Sequence, residues 1–220
     1  MYFHNRAIAG RQIAERLQQY ANRNVAVVAL SPGAVIIGAQ IAMKLHANLM
    51  MLLTANITLP GENDPFGAIS SSNTFTYNNK FSTGEIEEYR AEYLSYIEQQ
   101  RIEKLHQLHT LLGADGEVKR ELLQRHVIIV VSDGLSSGFS MDIAADFLKP
   151  VKVARLIVAT PIASVAAVDR MHLVGDEVHC LGVVPDYMDT DHYYEDNTIP
   201  STEGLIKVIR NIPIHWERKK

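Results

Sequence analysis

The chain has 220 residues, of which 47% are hydrophobic and 21% are charged, and its formal net charge is −4 at pH 7. This length and mixture predict one globular domain with a sizeable core. The negative charge gives no general attraction to nucleic acid or anionic membranes, and the single cysteine, Cys180, excludes an internal disulfide framework. We therefore expect a cytoplasmic protein with neither a nucleic-acid nor a membrane partner.

The first elements alternate between helix and buried strand. Their predicted ranges are helix 6–22, strand 24–30, turn 31–34, helix 35–46 and strand 49–54. Residues 25–43 carry no charge and are long enough to span a bilayer, but Ser31-Pro32-Gly33 interrupts them. A strand, a turn and a buried helix explain this stretch better.

After the second predicted strand, the sequence becomes polar and then charged. Residues 60–79 are polar, and within them FGAIS (66–70) and TFTYN (74–78) suggest a hairpin. Ser82 and Glu85 form a capping-box pattern that predicts the start of one long charged helix, ending before Gly113.

The last third again alternates strands and helices. The predicted ranges are strand 126–131, helix 140–148, strand 153–160, helix 163–172, strand 177–181 and helix 201–210. Unbroken apolar strands separated by helices predict an α/β fold with a doubly wound, mainly parallel sheet of five strands. We expect residues 1–220 to form a single domain, with the hairpin insertion at about 60–80 and the long helix at about 83–112.

Ligands of such sheets bind beyond the carboxyl ends of the strands, where this chain has two unusual loops, SPGA at 31–34 and SDGLSSGFS at 132–140. A Ser/Gly loop that leads into a helix offers backbone N–H groups, hydroxyls and the positive end of the helix dipole to a phosphate. The alternative is a plain connection in which Ser140 only caps the helix. Neither a Walker loop nor the Gly-x-Gly-x-x-Gly fingerprint is present.

The stretch VIIVVSDGLSSGFSM resembles the phosphoribosyl pyrophosphate signature of type I phosphoribosyltransferases. The chain is most similar to the bacterial predicted phosphoribosyltransferase group, through FHNRAIAG, LSPGAVIIG, GENDPFGAI, the strand end CLG, and YYED. The resemblance covers most of residues 3–196 and implies the type I phosphoribosyltransferase fold, with a long helix and small flanking hood elements.

The resemblance assigns roles by position. Asp133 would be the catalytic residue and would contact the ribose hydroxyls. The loop for the 5′-phosphate would comprise Ser136, Ser137, Gly138, Phe139 and Ser140, and the pyrophosphate loop Ser31, Pro32, Gly33 and Ala34. The resemblance implies Mg²⁺ bound through the ligand, with no metal held by protein side chains. It also implies a small phosphoribosyl ligand, and it leaves a homodimer open.

Several positions depart from the pattern of the family. Ser132 replaces the first of two acids, Pro32 stands where relatives have Arg, and Ala34 replaces a Gly. Relatives also have an Arg-Lys pair where this chain has Ala55-Asn56. The phosphate loop is altered conservatively, whereas the pyrophosphate side has lost its charges, which predicts a site that binds a sugar phosphate but transfers it poorly.

Three functions remain open on the sequence. The first is transfer of ribose 5-phosphate from its pyrophosphate donor to an unknown acceptor, and the second is non-catalytic sensing of a phosphorylated sugar or nucleotide. The third is a structural role with empty loops. Neither His106 with His109 nor the acidic run 186–196 has the pattern of a metal site, and we expect both to be solvated surface.

Overall fold

The computed structural model describes residues 1–112 and 120–217, with the side chains of the last helix described through Ile212. Its strands are β1 (Phe3–Asn5), β2 (Val25–Ala29), β3 (Asn48–Met51), β4 (Thr54–Ile57), β5 (Gly67–Ser70), β6 (Phe75–Tyr77), β7 (Val127–Val131), β8 (Arg155–Ser164), β9 (Glu177–Val184) and β10 (Tyr194–Asp196). Its helices are α1 (Arg6–Arg16), α2 (Pro32–Leu45), α3 (Thr83–Glu92), α4 (Leu94–Leu112), α5 (Phe139–Leu148), α6 (Val165–Val174) and α7 (Thr202–Glu217).

The centre of the fold is a five-stranded sheet in the order β3-β2-β7-β8-β9. Every neighbouring pair is parallel, as the pairing of Val28 with Val130 and of Val130 with Val158 shows for the middle strands. The predicted five-stranded parallel sheet is confirmed. Because β2 and β7 are neighbours but their connections lead away in opposite directions, a crevice opens beyond their carboxyl ends.

The two faces of the sheet are covered by different helices. On one face, α1, α2 and α7 pack through side chains such as Ile13, Ile37 and Leu205. On the other face, α5 and α6 pack through Phe147 and Met171. Covering on both faces explains why the strands carry no polar alternation. Within the described parts of the chain, no helix combines the length and apolar character that crossing a bilayer requires.

A second, antiparallel sheet of β4, β5 and β6 forms a hood beside the crevice. Strands β5 and β6 form the hairpin expected from FGAIS and TFTYN, with Ala68 opposite Thr76. Phe66 fills the centre of the hood, because its buried ring makes edge contacts with Tyr77, Phe81 and Tyr89 at centroid distances of 5.4, 5.7 and 5.9 Å.

The capping box is present, since Ser82 and Glu85 exchange both hydrogen bonds at the start of α3. The prediction of one continuous helix was wrong, because the helix is interrupted at Tyr93, where the backbone leaves helical geometry at φ −108° and ψ 21°. The break lies where Tyr89, Tyr93 and Tyr96 of this region pack with the hood, so we attribute it to tertiary contacts.

The boundaries of other elements also differ from the predicted ones. Helix α2 begins at Pro32, not at residue 35, because Ser31 caps it and a proline suits the first helical position. The strand predicted over 49–54 ends at Met51, and Thr54 already belongs to the hood. The parallel pair of β1 and β10, which joins Phe3 to Tyr194, was not foreseen.

Candidate functional site

The two unusual loops meet at the crevice between β2 and β7. Ser31 follows β2, and Asp133 follows β7. The Ser31 hydroxyl donates a 2.6 Å hydrogen bond to Oδ1 of Asp133 and accepts a 3.0 Å hydrogen bond from the Ala34 N–H. One hydroxyl therefore caps α2 and also holds the carboxylate in place.

The other oxygen of Asp133 is bound by an arginine from the beginning of the chain. Nε of Arg6 donates to Oδ2 of Asp133 at 2.8 Å, and the two side chains are only 3% and 10% exposed. Arg6 also donates to Asp191 at 2.5 Å and to Asn197 at 3.1 Å. Burial by itself would lower the pKa of Arg6, but its hydrogen bonds to Asp133 and Asp191 outweigh burial and raise it. The guanidinium is therefore charged at any physiological pH.

Tyr194 completes the surroundings of this pair. Its hydroxyl donates a 2.6 Å hydrogen bond to the backbone carbonyl of Asp133, and its ring lies 4.5 Å from the Arg6 guanidinium. Burial, and then the nearby Asp133 carboxylate, raises the pKa of Tyr194. The hydroxyl is thus a hydrogen-bond donor, and β10 is tied to the end of β7.

Two glycines allow this close packing. A Cβ at Gly33 would lie 2.0 Å from Oδ2 of Asp133 and 2.5 Å from Nε of Arg6, so no side chain fits there. A Cβ at Gly134 would lie 2.2 Å from the Tyr187 hydroxyl. Burial raises the pKa of Tyr187 to about 12. The Arg6–Asp133 pair fills the space above Gly33, and the segment around Tyr187 covers Gly134.

The predicted phosphate loop is open to solvent at its first two residues. Ser136 and Ser137 are exposed, and the Ser164 hydroxyl fixes the loop by donating a 2.5 Å hydrogen bond to the Ser136 carbonyl. Gly138 stands at the N-cap of α5 with φ 78°, a left-handed conformation that favours glycine. No side chain caps the helix from this position, so the alternative in which Ser140 is the cap is wrong.

The loop forms one wall of an open pocket of about 930 Å³. The hood contributes the opposite wall through Thr54, Asn56 and Lys80. Of the two positions where relatives have Arg-Lys, only Asn56 faces the pocket, since Ala55 packs against the core. The site therefore lies between the loop of the central sheet and the hood.

Two cations line this pocket, and each has an acidic neighbour. Lys80 pairs with Asp64 at 2.7 Å, and both side chains are about half exposed. Arg170 of α6 donates from Nε to the buried carboxylate of Asp142, whose other oxygen accepts a 3.1 Å hydrogen bond from Asn79. Burial raises the pKa of Asp142, and the opposing effect of Arg170 is smaller.

Protein side chains offer little to a metal ion. Among residues 1–112 and 120–212, whose side chains the structure describes, no three His, Cys, Asp or Glu side chains lie close enough together to hold one. His109, considered above with His106, instead forms a 2.8 Å hydrogen bond with the Ser71 carbonyl.

Comparison with known proteins identifies the family of the chain and agrees with this fold. The phosphoribosyl transferase domain family matches residues 2–186, so the chain belongs to that family. Provisionally named phosphoribosyl transferases from two strains of Mycobacterium tuberculosis are 24% identical over 205 residues, which are 93% of this chain and 45% of each relative. The chain thus spans less than half the length of these relatives.

A solved structure of a protein from Thermus thermophilus shows the same fold. It superposes with a TM-score of 0.74 at 24% identity, over 95% of this chain and 98% of its own. A hypoxanthine phosphoribosyltransferase from Staphylococcus aureus is more distant, with a TM-score of 0.46 at 10% identity, over 84% of this chain and 78% of its own.

Sequence reasoning found the two loops but missed the residues that surround them. Arg6 and Tyr194 were not recognised as site residues, although they stand within FHNRAIAG and YYED, the stretches that carry the family resemblance. Asp142 and Arg170 had no signal in the sequence, because they lie on different helices and meet only through packing.

Proposed function

We propose that this chain is a single phosphoribosyltransferase-like domain that binds a ligand of the ribose 5-phosphate type. The 5′-phosphate would lie against the loop from Ser136 to Ser140, at the positive end of α5. Backbone N–H groups at a helix start and the two exposed serine hydroxyls are suited to a dianionic phosphate. The partner we propose is a small molecule in the cytoplasm, and a homodimer remains to be tested by sedimentation.

One contrast carries the proposal. The phosphate loop is exposed to a large pocket, whereas both carboxylate oxygens of Asp133 are already bonded to Arg6 and Ser31. For Asp133 to contact ribose hydroxyls, these bonds would have to be exchanged for bonds to the ligand. We therefore expect binding of the phosphate to be easier than the rearrangement that transfer requires.

Transfer from phosphoribosyl pyrophosphate to an unknown acceptor remains within this proposal as a slow reaction. Departure of pyrophosphate needs positive charge around it, and Pro32, Ala55 and Asn56 supply none. The closed Arg6–Asp133 pair favours the alternative, a non-catalytic sensor of a sugar phosphate or nucleotide on the same fold.

We propose that magnesium reaches this site as part of the ligand. The described residues hold no cluster of metal-ligating side chains, and the Asp133 carboxylate is bonded by Arg6 and Ser31. A Mg²⁺ ion carried by a diphosphate would supply charge for the leaving group. The residues of this chain would then hold the 5′-phosphate and shield the ribose side from water.

Binding of ribose 5-phosphate tests the proposal, with two glycine variants as a matched pair. Gly138→Ala and Gly61→Ala both place a side chain at positive φ, but only Gly138 lies in the loop, and Gly61 has open space around it. Ligand at ~100 times the dissociation constant should stabilise the natural protein by ~2.7 kcal/mol. We expect this stabilisation to survive in Gly61→Ala and to be lost in Gly138→Ala; no stabilisation of the natural protein at millimolar ligand contradicts the proposal.

A further inference from the structure

We infer that Arg170 of α6 is a further ligand residue of the phosphate site, and that its guanidinium binds the phosphate from the side opposite the loop backbone. This rests on the proposed function, because it concerns the same pocket. Arg170 lies 30 residues or more beyond the loop in sequence, outside every motif that carries the family resemblance. Only the packing of α6 against α5 brings it to the loop.

The stem of Arg170 lies directly against the loop. A Cβ at Gly138 would lie 2.7 Å from Cβ and 2.9 Å from Cγ of Arg170. The side chain therefore begins its course at the residue that opens α5, and it lines the same pocket as Ser137 and Ser140. A phosphate seated on the loop backbone would be within reach of the end of this side chain.

Asp142 orients the guanidinium of Arg170 but accepts a hydrogen bond from only one of its nitrogens. The buried carboxylate accepts from Nε, while the two terminal nitrogens of Arg170 make no hydrogen bond to the residues that the structure describes. Asn79 holds the second oxygen of Asp142 from the hood. The remaining edge of a fixed guanidinium matches two phosphate oxygens, the geometry in which arginine binds phosphate most strongly.

Lys80, the other cation of the pocket, is a weaker candidate. Its ammonium is about half exposed and is paired with Asp64, which is equally exposed. Asp64 and Asp169 also line the pocket, so the acidic groups there oppose any general positive field. In such surroundings an anion needs a cation that is held in a fixed orientation. Of Lys80 and Arg170, only Arg170 is held by a buried partner.

The decisive variant changes both members of the pair, Arg170→Met with Asp142→Asn. It removes one positive and one negative charge, so the net charge of the pocket is unchanged. It also avoids leaving Asp142 buried without its partner, and the Met stem can still cover Gly138. Any loss of affinity therefore reports the guanidinium of Arg170, through its charge and its N–H donors together. Arg170→Lys, which keeps the charge without the planar fork, and Arg155→Met at the opposite end of the sheet are the controls.

Calorimetric titration would use inorganic phosphate, ribose 5-phosphate and ribose. Charge-assisted hydrogen bonds of this kind correspond to roughly 10- to 100-fold in affinity. We expect the double variant to lose that factor for both phosphates. Arg170→Lys should fall between the double variant and the natural protein, and Arg155→Met should bind as the natural protein does.

The outcomes separate the inference from the proposed function. Equal binding of ribose 5-phosphate by the natural protein and the double variant overturns the role of Arg170 and leaves the function standing. A third outcome is that inorganic phosphate binding depends on Arg170 but ribose 5-phosphate binds no more tightly than inorganic phosphate. This outcome supports the role of Arg170 and counts against a phosphoribosyl ligand. Failure of both phosphates to bind the natural protein overturns both.

Discussion

Arg6 and Asp133 form a 2.8 Å ion pair between side chains that are separated by 127 residues and almost removed from solvent. The pair joins the start of α1 to the carboxyl end of β7. Through Asp191 and Asn197, Arg6 also holds the segment that follows β9. Asp133, which we expected to contact the ligand, is thus bonded within the crevice to another residue of the chain.

Replacing Arg6 by Ala should destabilise the protein strongly. The change leaves the Asp133 carboxylate buried with Ser31 as its remaining side-chain partner, and breaking a buried pair in this way costs about 3–5 kcal/mol. Chemical denaturation would measure the free energy of unfolding.

The matched control for Arg6 is Arg11→Ala, because Arg11 lies exposed on the same helix. A surface change of this kind alters stability by about 0.5 kcal/mol or less. If both variants unfolded at the same denaturant concentration, the Arg6–Asp133 pair would not be the stabilising contact described above.

Turnover should be weak in the natural protein and should improve when the missing groups are restored. We expect little pyrophosphate release from phosphoribosyl pyrophosphate with common purine or pyrimidine bases, and more from Pro32→Arg, Ser132→Asp, Asn56→Lys. The physical reason is that losing one charge-stabilising group typically costs ~10²–10³ in rate.

Ser132 is buried and its hydroxyl donates to the Gly134 carbonyl at 2.8 Å, so Ser132→Asp could disturb the loop. The double variant Pro32→Arg, Asn56→Lys, which leaves Ser132 unchanged, controls for that effect. Robust turnover by the natural sequence would refute the idea of a site that binds better than it transfers.

Acid should weaken the fold through Glu177. Burial raises the pKa of Glu177, but hydrogen bonds from Tyr20 and His179 outweigh it, and the net pKa is lowered from its ordinary value of 4.5. A carboxylate with a lowered pKa stabilises the fold above the unfolded value, and this contribution is lost as the pH falls through the folded value. The difference in unfolding free energy between the natural protein and Glu177→Gln should therefore be largest above about pH 4.5 and shrink below it.

Glu87→Gln is the control for Glu177, because it removes one exposed carboxylate from α3 without touching this cluster. It separates the loss of a charge from the loss of the contacts with Tyr20 and His179. A stability difference for Glu177→Gln that stays constant from pH 7 to pH 3 would show that these contacts do not depend on the ionised carboxylate.

The hood should depend on the ring of Phe66. Removing a fully buried aromatic side chain leaves a cavity and costs about 3–5 kcal/mol, and Phe66 contacts three other rings. Phe66→Ala should therefore lower the free energy of unfolding by that amount, whereas Phe66→Leu, which fills more of the space, should cost less. Hydrogen exchange of β5 and β6 would show whether the loss is confined to the hood; unchanged exchange would contradict the central role of Phe66.

The elements that could be predicted from the sequence are those whose signal is local. The unbroken apolar runs at β2 and β7 predicted a parallel sheet, because a strand covered on both faces needs no polar alternation. The capping box of Ser82 and Glu85 and the hairpin of β5 and β6 were equally readable, since neighbouring residues decide them. Composition also placed a Ser/Gly loop at the start of α5.

How these parts meet was visible only in the folded chain. The partner of Asp133 is Arg6, 127 residues away, and the partner of Asp142 is Arg170, 28 residues away. The break at Tyr93 likewise follows from packing on the hood, although the helical pattern of the sequence continues through it. Local patterns report the burial and backbone preference of a residue. The pairing of buried charged side chains depends on how elements that are distant in the sequence pack together. No short stretch of sequence contains that information.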